Sequence, residues 1–195
     1  MRLPDDENGQ HLERGVDSRG VRPFPVYRAV GECLMEWKML QLLPLTKDQY
    51  DAFYDYNIRD YADAMVRAGN ARPDLAETVA HQQTALVLTN RLASPDQFIF
   101  SIFDDALNAQ VGYLWWGVRE LSGIRVANLY FIGIFETYRR RGYASQALRL
   151  FEENARAAGL NEMRLFVFGH NARAWKLYEK TGYHIVSATM AKRIG

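Results

Sequence analysis

"YRRRGYASQALRL", residues Tyr138–Leu150, sets three arginines and a glycine directly before a run with helical spacing. Ala144, Ala147, Leu148, Phe151, Ala155 and Ala158 form one apolar face at helical intervals, and Gly159 is placed to end that helix. Upstream, "RVANLYFIGIF" (Arg125–Phe135) is rich in β-branched and aromatic residues, which predicts a long strand running into the arginines. The order is therefore strand, short glycine loop, helix. A helix start presents backbone N–H groups without intrahelical acceptors, together with the positive end of the helix dipole. Gly142 lets a ligand come close to the backbone, and Ala144 is nearly as small. The stretch thus predicts an anion seat suited to a pyrophosphate, with Arg139, Arg140 and Arg141 adding charge around it. It contains neither a Gly-Lys-Ser/Thr loop nor G-x-G-x-x-G, so it is not one of the common nucleotide fingerprints. Three arginines before a helix are equally a solvated basic corner, and the decision lies in the flanking sequence.

On the C-terminal side, "MRLFVFG" predicts a strand, and "NARAWKLYEKTG" a short helix capped by Asn171 and ended by Gly182. "YHIVSATMAKRI" predicts a last strand. On the N-terminal side, "QFIFSIFDD" and "QVGYLWWGVRE" are two strands joined by a hairpin turn at "DDALNA". "MLQLLPL" is a short buried strand. A helix capped by Thr46 follows, with Tyr50, Phe53, Tyr54 and Ile58 on one face. A bend or second helix carries Tyr61, Met65 and Val66 as far as Gly69, and a further helix starts at Asp74 as its cap. Residues 1–38 are polar, broken by glycine and proline, and without periodicity, which predicts a disordered extension. Met35 and Met39 are alternative starts, and a folded domain is expected over 39–195. Strands that pair as hairpins and also return through helices predict an α/β fold, its sheet mixed and mainly antiparallel with helices on both faces.

Composition narrows the chemistry. The 195 residues are 48% hydrophobic and carry a net charge of +1, which argues against a dedicated nucleic-acid binder or a polybasic membrane protein. The charge is uneven: 11 Lys and Arg face 4 Asp and Glu from Thr137 onward, against 13 and 19 before it. A basic half beside an acidic half suits two ligands of opposite charge. One cysteine, Cys33, excludes an internal disulfide, and the scattered histidines predict no metal site. No apolar run is long enough to span a bilayer, and the acidic N-terminus does not resemble a signal peptide, so a cytoplasmic location is expected.

The motif R-x-x-G-x-A after a long strand, with "NARAWKLYEKTGY" about thirty residues on, resembles the GNAT superfamily of acyl-CoA N-acyltransferases. The resemblance covers 39–195 in element order and is strongest from Leu129 to Tyr183. It implies a sheet splayed between its fourth and fifth strands, with acetyl-CoA as co-substrate in the opening. It also implies that backbone groups of Ile132, Gly133 and Ile134 pair with the pantetheine arm. Amides from Arg139 through Arg140, Arg141, Gly142 and Tyr143 to Ala144 would hold the pyrophosphate. Asn171 would lie beside the pantetheine, and Tyr178 would offer its hydroxyl to the thioester sulfur as the catalytic residue. Bland alternatives stand beside these: Asn171 is an ordinary helix cap, and Tyr178 on an apolar face is equally a packed tyrosine.

The implied reaction is transfer of an acetyl group to a primary amine of a small molecule or protein. Many relatives place a carboxylate on the fourth strand, whereas Leu129–Phe135 here contains none; Glu120, or a water held by Asn128 and Tyr130, could substitute. That departure motivates an alternative, a non-catalytic acyl-CoA sensor on the same fold. The acceptor is expected near Asp60, Tyr61 and Asp63, where acidic residues suit a cationic amine. Neither nucleic acid nor membrane is expected as a partner, and a homodimer is left open.

Overall fold

The computed structural model describes residues 40–192 and Ile194; the expected extension at 1–38 lies outside the described residues. Five strands form one sheet in sequential order: β1 (Leu40–Pro44), β2 (Gln97–Asp104), β3 (Ala109–Leu121), β4 (Ile124–Ile134) and β5 (Met163–Leu165). The first four pair antiparallel, and β5 runs parallel to β4, as a helical crossover requires. The connection is α3 (Tyr143–Ala157), reached from β4 through a single 3-10 turn at Glu136–Tyr138.

Helices cover both faces. On one face Ala147, Leu148 and Phe151 of α3 pack against Ile102, Leu114, Trp116, Ala127 and Leu129. On the other lies α1 (Lys47–Ala68), whose Phe53 is 0% exposed and meets Tyr113, Trp115 and Phe131 edge-on at centroid distances of 5.5, 6.2 and 6.3 Å. Such aromatic pairs add about 0.5–1.5 kcal/mol each beyond the area they bury. α2 (Ala76–Val87) does not reach the sheet centre; its Ala76 and Ala80 pack on Ile58, Ala62 and Met65 of α1.

Four local expectations need correction. The bend between Ile58 and Tyr61 is absent, and α1 is one 22-residue helix that ends at left-handed Gly69. Its apolar stripe drifts from the sheet (Phe53) to α2 (Ala62, Met65), and this shift of partner looks in sequence like a break. Asp74 does not cap α2: the N-cap is Leu75, and Asp74 pairs with Arg72 through two hydrogen bonds of 3.0 and 2.7 Å. The expected last strand does not form among the described residues, and β5 stops after three residues although "MRLFVFG" has strand composition throughout. A strand persists only where a neighbour takes its hydrogen bonds. Past Leu165 the described residues supply none, so Phe166 is 72% exposed and Met190 94%.

The sheet opens at one position. Pairing of β3 with β4 slips between Trp115 and Trp116, leaving Tyr130 as an extra residue between the Phe131 and Leu129 pairs. Ala127 and Leu129 face α3 before this bulge, as do Ile132 and Ile134 after it, so alternation changes parity there. Tyr130 and Phe131 both lie on the α1 side. Pairing of β4 with β5 ends beside the bulge, at Leu129 and Leu165, while β4 continues for five more residues. A bulge bends its strand and increases local twist, which is the physical reason the two strands part here.

Candidate active site

Beyond the bulge, β4 has one edge on β3 and the other on the opening. The Phe135 N–H donates to the Val111 carbonyl at 2.9 Å, and Gly133 pairs with Tyr113. Alternation then turns the polar groups of Ile132 and Ile134 into the opening and those of Gly133 toward β3. Of the three strand residues implied to bind pantetheine, two therefore present backbone groups to the opening. Gly133 contributes its missing side chain instead. A Cβ there would lie 2.8 Å from the Tyr56 ring of α1 and 2.6 Å from that of Phe131, so α1 can close over the strand only if this residue is glycine.

The arginine loop is built from two left-handed residues, Arg140 at φ 65° and Gly142 at φ 84°. Gly142 is the N-cap of α3 and supplies no side chain to cap it, so the first amides of α3 keep their hydrogen-bonding capacity for a ligand. The three arginines have separate surroundings. Arg139 donates from Nε to the Ile134 carbonyl at 3.0 Å, which latches the loop to the end of β4. The Arg141 guanidinium lies 5.7 Å from the centre of the Tyr138 ring, and Arg140 is exposed. Tyr143, the first residue of α3, is 1% exposed, and its hydroxyl donates to the Asp104 carboxylate at the end of β2. Burial, followed by this hydrogen bond and the Asp104 charge, pushes the Tyr143 hydroxyl up to about 12.

A cleft of about 2340 Å³ runs between α3, β5 with its continuation to His170, α4 (Ala172–Lys180) and the C-terminal segment. It is larger than an ordinary small-molecule pocket because no strand among the described residues pairs with the outer edge of β5. Gly142, Gln146, Phe168 and Tyr178 line it, so the expected pyrophosphate glycine and the expected catalytic tyrosine share one cavity. Burial pushes the Tyr178 hydroxyl up to about 12, and its ring meets Tyr183 edge-on at 5.6 Å. The Tyr183 hydroxyl is buried and finds no hydrogen-bond partner among the described residues, and burial raises its pKa as well. Asn171 does not line the cleft. Its side chain accepts from the Ala174 N–H at 3.1 Å as the cap of α4, the plain structural role open to it from sequence.

Of the sequence candidates for a base, Glu120 is excluded by register. It pairs opposite Arg125 at the far end of the β3–β4 hairpin, seven residues or about 23 Å from Ile132. Tyr130 stacks on Trp115 at 4.6 Å, on the α1 face. Asp60 is better placed. It lies one helical turn after Tyr56, the residue that covers Gly133, and therefore on the same side of α1. Asp60 is exposed at the surface, so the desolvation that raises its pKa is partial; the cations of Arg139 and Arg67 lower it and Asp63 raises it, with a net shift upward. The Arg139 influence ties Asp60 to the loop end of the opening. Asp104 was missed by sequence reasoning, because the first of two aspartates in "FDDALNA" looks like ordinary turn chemistry.

Among the described residues no group of His, Cys, Asp and Glu could hold a metal ion, and no helix is long and apolar enough to cross a membrane.

Comparison with known proteins agrees with this geometry. A model of the Acetyltransferase (GNAT) family matches residues 49–183, which include most of α1, the bulged strand, the arginine loop and Tyr178. The chain is 32% identical over 157 residues to the "Uncharacterized N-acetyltransferase YycN" of Bacillus subtilis, covering 80% of this chain and 99% of that one. It is 27% identical over 150 residues to YdgE of the same organism, covering 77% and 95%. The crystal structure of YycN superposes with a TM-score of 0.75 at 31% identity, over 80% of this chain and 99% of that chain. The BH1408 protein of Bacillus halodurans, at 13% identity and a TM-score of 0.60 over 80% and 99%, shares the fold. The parted strands, the uncapped helix start and a family match over most of the folded chain lead to one conclusion: this protein is a member of the GNAT acetyltransferase family.

Proposed function

We propose that the protein is an acetyl-CoA-dependent N-acetyltransferase acting on a primary amine. The observation that carries this reading is the parting of β4 from β5 at the bulge, directly before an uncapped helix start whose Gly142 lines the same cleft as Tyr178. Three features fit an acyl-CoA. The α3 start offers N–H groups to a pyrophosphate. Ile132 and Ile134 offer strand-edge groups to a pantetheine arm, although the Ile134 carbonyl is already held by Arg139. The long cleft has room for an extended ligand.

Acetyl-CoA supplies an activated thioester, and the residues around it bind, orient and exchange protons. The Ile132 and Ile134 N–H groups face the opening and are the donors available to an oxyanion. Tyr178, held neutral by its burial, donates a hydrogen bond to the departing sulfur. With a hydroxyl pKa of about 12 against ~8.5 for a thiol, full proton transfer to the thiolate is uphill, so stabilisation by hydrogen bonding is the role that fits. An alkyl amine with a pKa near ~10 arrives as a cation, and Asp60 is placed to attract it to the mouth of the opening. The amine attacks once it has lost its proton.

Incubating the protein with acetyl-CoA and a panel of primary amines, with release of free thiol as readout, tests the reading. Turnover with at least one amine is expected; no turnover together with no CoA binding would sink it. Binding without turnover would favour the acyl-CoA sensor, for which the missing acid on β4 is the supporting observation. Asp60→Asn is expected to raise the amine KM about tenfold, the loss of one charge-assisted contact, and to leave the acetyl-CoA KM unchanged. Steady-state kinetics with each substrate varied in turn checks this. A fall in kcat at constant amine KM would instead make Asp60 a base.

A further inference from the structure

Asp104 is 0% exposed and, among the described residues, no cation pairs with it. Its carboxylate takes two hydrogen bonds, from the Leu107 N–H at 3.1 Å and from the Tyr143 hydroxyl. A buried carboxylate is costly unless it is well satisfied. Capping the β2–β3 turn needs only the Leu107 bond and does not need the carboxylate to be buried, since exposed aspartates serve at turns. The second bond crosses from the sheet to the first residue of α3, immediately after Gly142. Tyr143 is also wedged edge-on against Tyr138, with 6.4 Å between ring centres, at the other end of the arginine loop.

We infer that Asp104 is a positioning residue for the anion seat, acting through Tyr143 to fix where the first amides of α3 point. The loop needs such a fixture. It contains left-handed Arg140, a conformation that a non-glycine residue holds only when its surroundings impose it. Arg139 anchors the β4 end of the loop on the Ile134 carbonyl, and Tyr143 anchors the helix end on Asp104. With either anchor lost, the amides keep their chemistry and lose their aim.

The inference rests on the proposed pyrophosphate seat, and the experiment separates the two. Affinities for CoA and for pantetheine, which has the same arm without the pyrophosphate and nucleotide, are measured by calorimetry for Tyr143→Phe, Asp104→Ala, Asp104→Asn and Gly142→Glu. Tyr143→Phe keeps the buried ring and is the variant expected to fold. It should lose about tenfold in CoA affinity, one hydrogen bond to a charged group, with pantetheine affinity unchanged. Asp104→Ala should lose as much, and adding it to Tyr143→Phe should cost no more, because both remove one strut. Asp104→Asn, which can still bond both partners, should restore most of the affinity. Equal losses for CoA and pantetheine would make the pair merely structural and overturn the inference. So would a Tyr143→Phe variant that binds CoA like wild type while Gly142→Glu does not bind. If Gly142→Glu also binds normally, the seat lies elsewhere and the inference falls with it.

Discussion

Gly142→Glu is expected to abolish CoA binding, with a loss of at least about 10³-fold, while the fold survives. Three effects combine. The residue sits at φ 84°, where a side chain costs about 1 kcal/mol. The new carboxylate stands at the mouth of the anion seat and repels a pyrophosphate. It can also take the free α3 amides as an intramolecular cap; displacing a ligand from two charge-assisted N–H contacts costs about 3–6 kcal/mol. Gly142→Ala separates the effects. A Cβ at this position meets nothing nearer than the Gln146 Nε2 at 3.7 Å, so alanine should cost stability and little affinity. Arg140→Ala should weaken CoA about threefold at most, since an exposed arginine contributes a screened charge. Calorimetric titration with CoA, beside thermal melts, checks all three. An arginine variant that bound worse than Gly142→Glu would make side chains, rather than amides, the binding element.

Tyr178→Phe should lower kcat about 10²-fold and leave both KM values within about twofold, the pattern of a group used only in the transition state. The ring packs against Tyr183 and the core beneath α3, and phenylalanine preserves that contact. The hydroxyl stays protonated until about pH 12, so it contributes no basic limb below pH 10. The wild-type kcat/KM should therefore rise with pH toward the amine pKa and not fall again before it. A basic limb near neutrality, absent in Tyr178→Phe, would show a phenolic hydroxyl far more acidic than its burial allows. Unchanged kcat in Tyr178→Phe would leave Tyr178 a packing residue.

The parts of the site that sequence made legible are those that depend on local chain chemistry. A glycine before an amphipathic helix fixes a left-handed turn and a bare helix start whatever lies around it, so Gly142 and α3 stand where their pattern places them. Thr46 at the start of α1, Gly69 and Gly159 past helix ends, and Asn171 as a cap follow from equally short-range rules. The long strand before the loop was visible in its β-branched and aromatic composition.

Long-range packing decided the rest. Leu129, Tyr130, Phe131 and Ile132 are all apolar or aromatic, so nothing in their order reveals that one of them is an extra residue; only pairing with β3 creates the bulge, and with it the opening. The fate of each arginine depends on what lies within reach of a long side chain: a strand carbonyl for Arg139, an aromatic ring for Arg141, water for Arg140. Asp104 and Tyr143 are 39 residues apart and become partners only when the β2–β3 hairpin and α3 pack on one core. "YHIVSATMAKRI" has strand propensity at its start, in Tyr183, Ile185 and Val186, yet propensity makes a strand only beside an edge that will bond it, and among the described residues β5 offers three residues and no more. Local sequence determined the bare helix start at Gly142, and tertiary structure determined where its amides point and the opening beside it, because a helix start needs only its own residues, its anchoring needs Asp104 from across the core, and a parted sheet needs two strands.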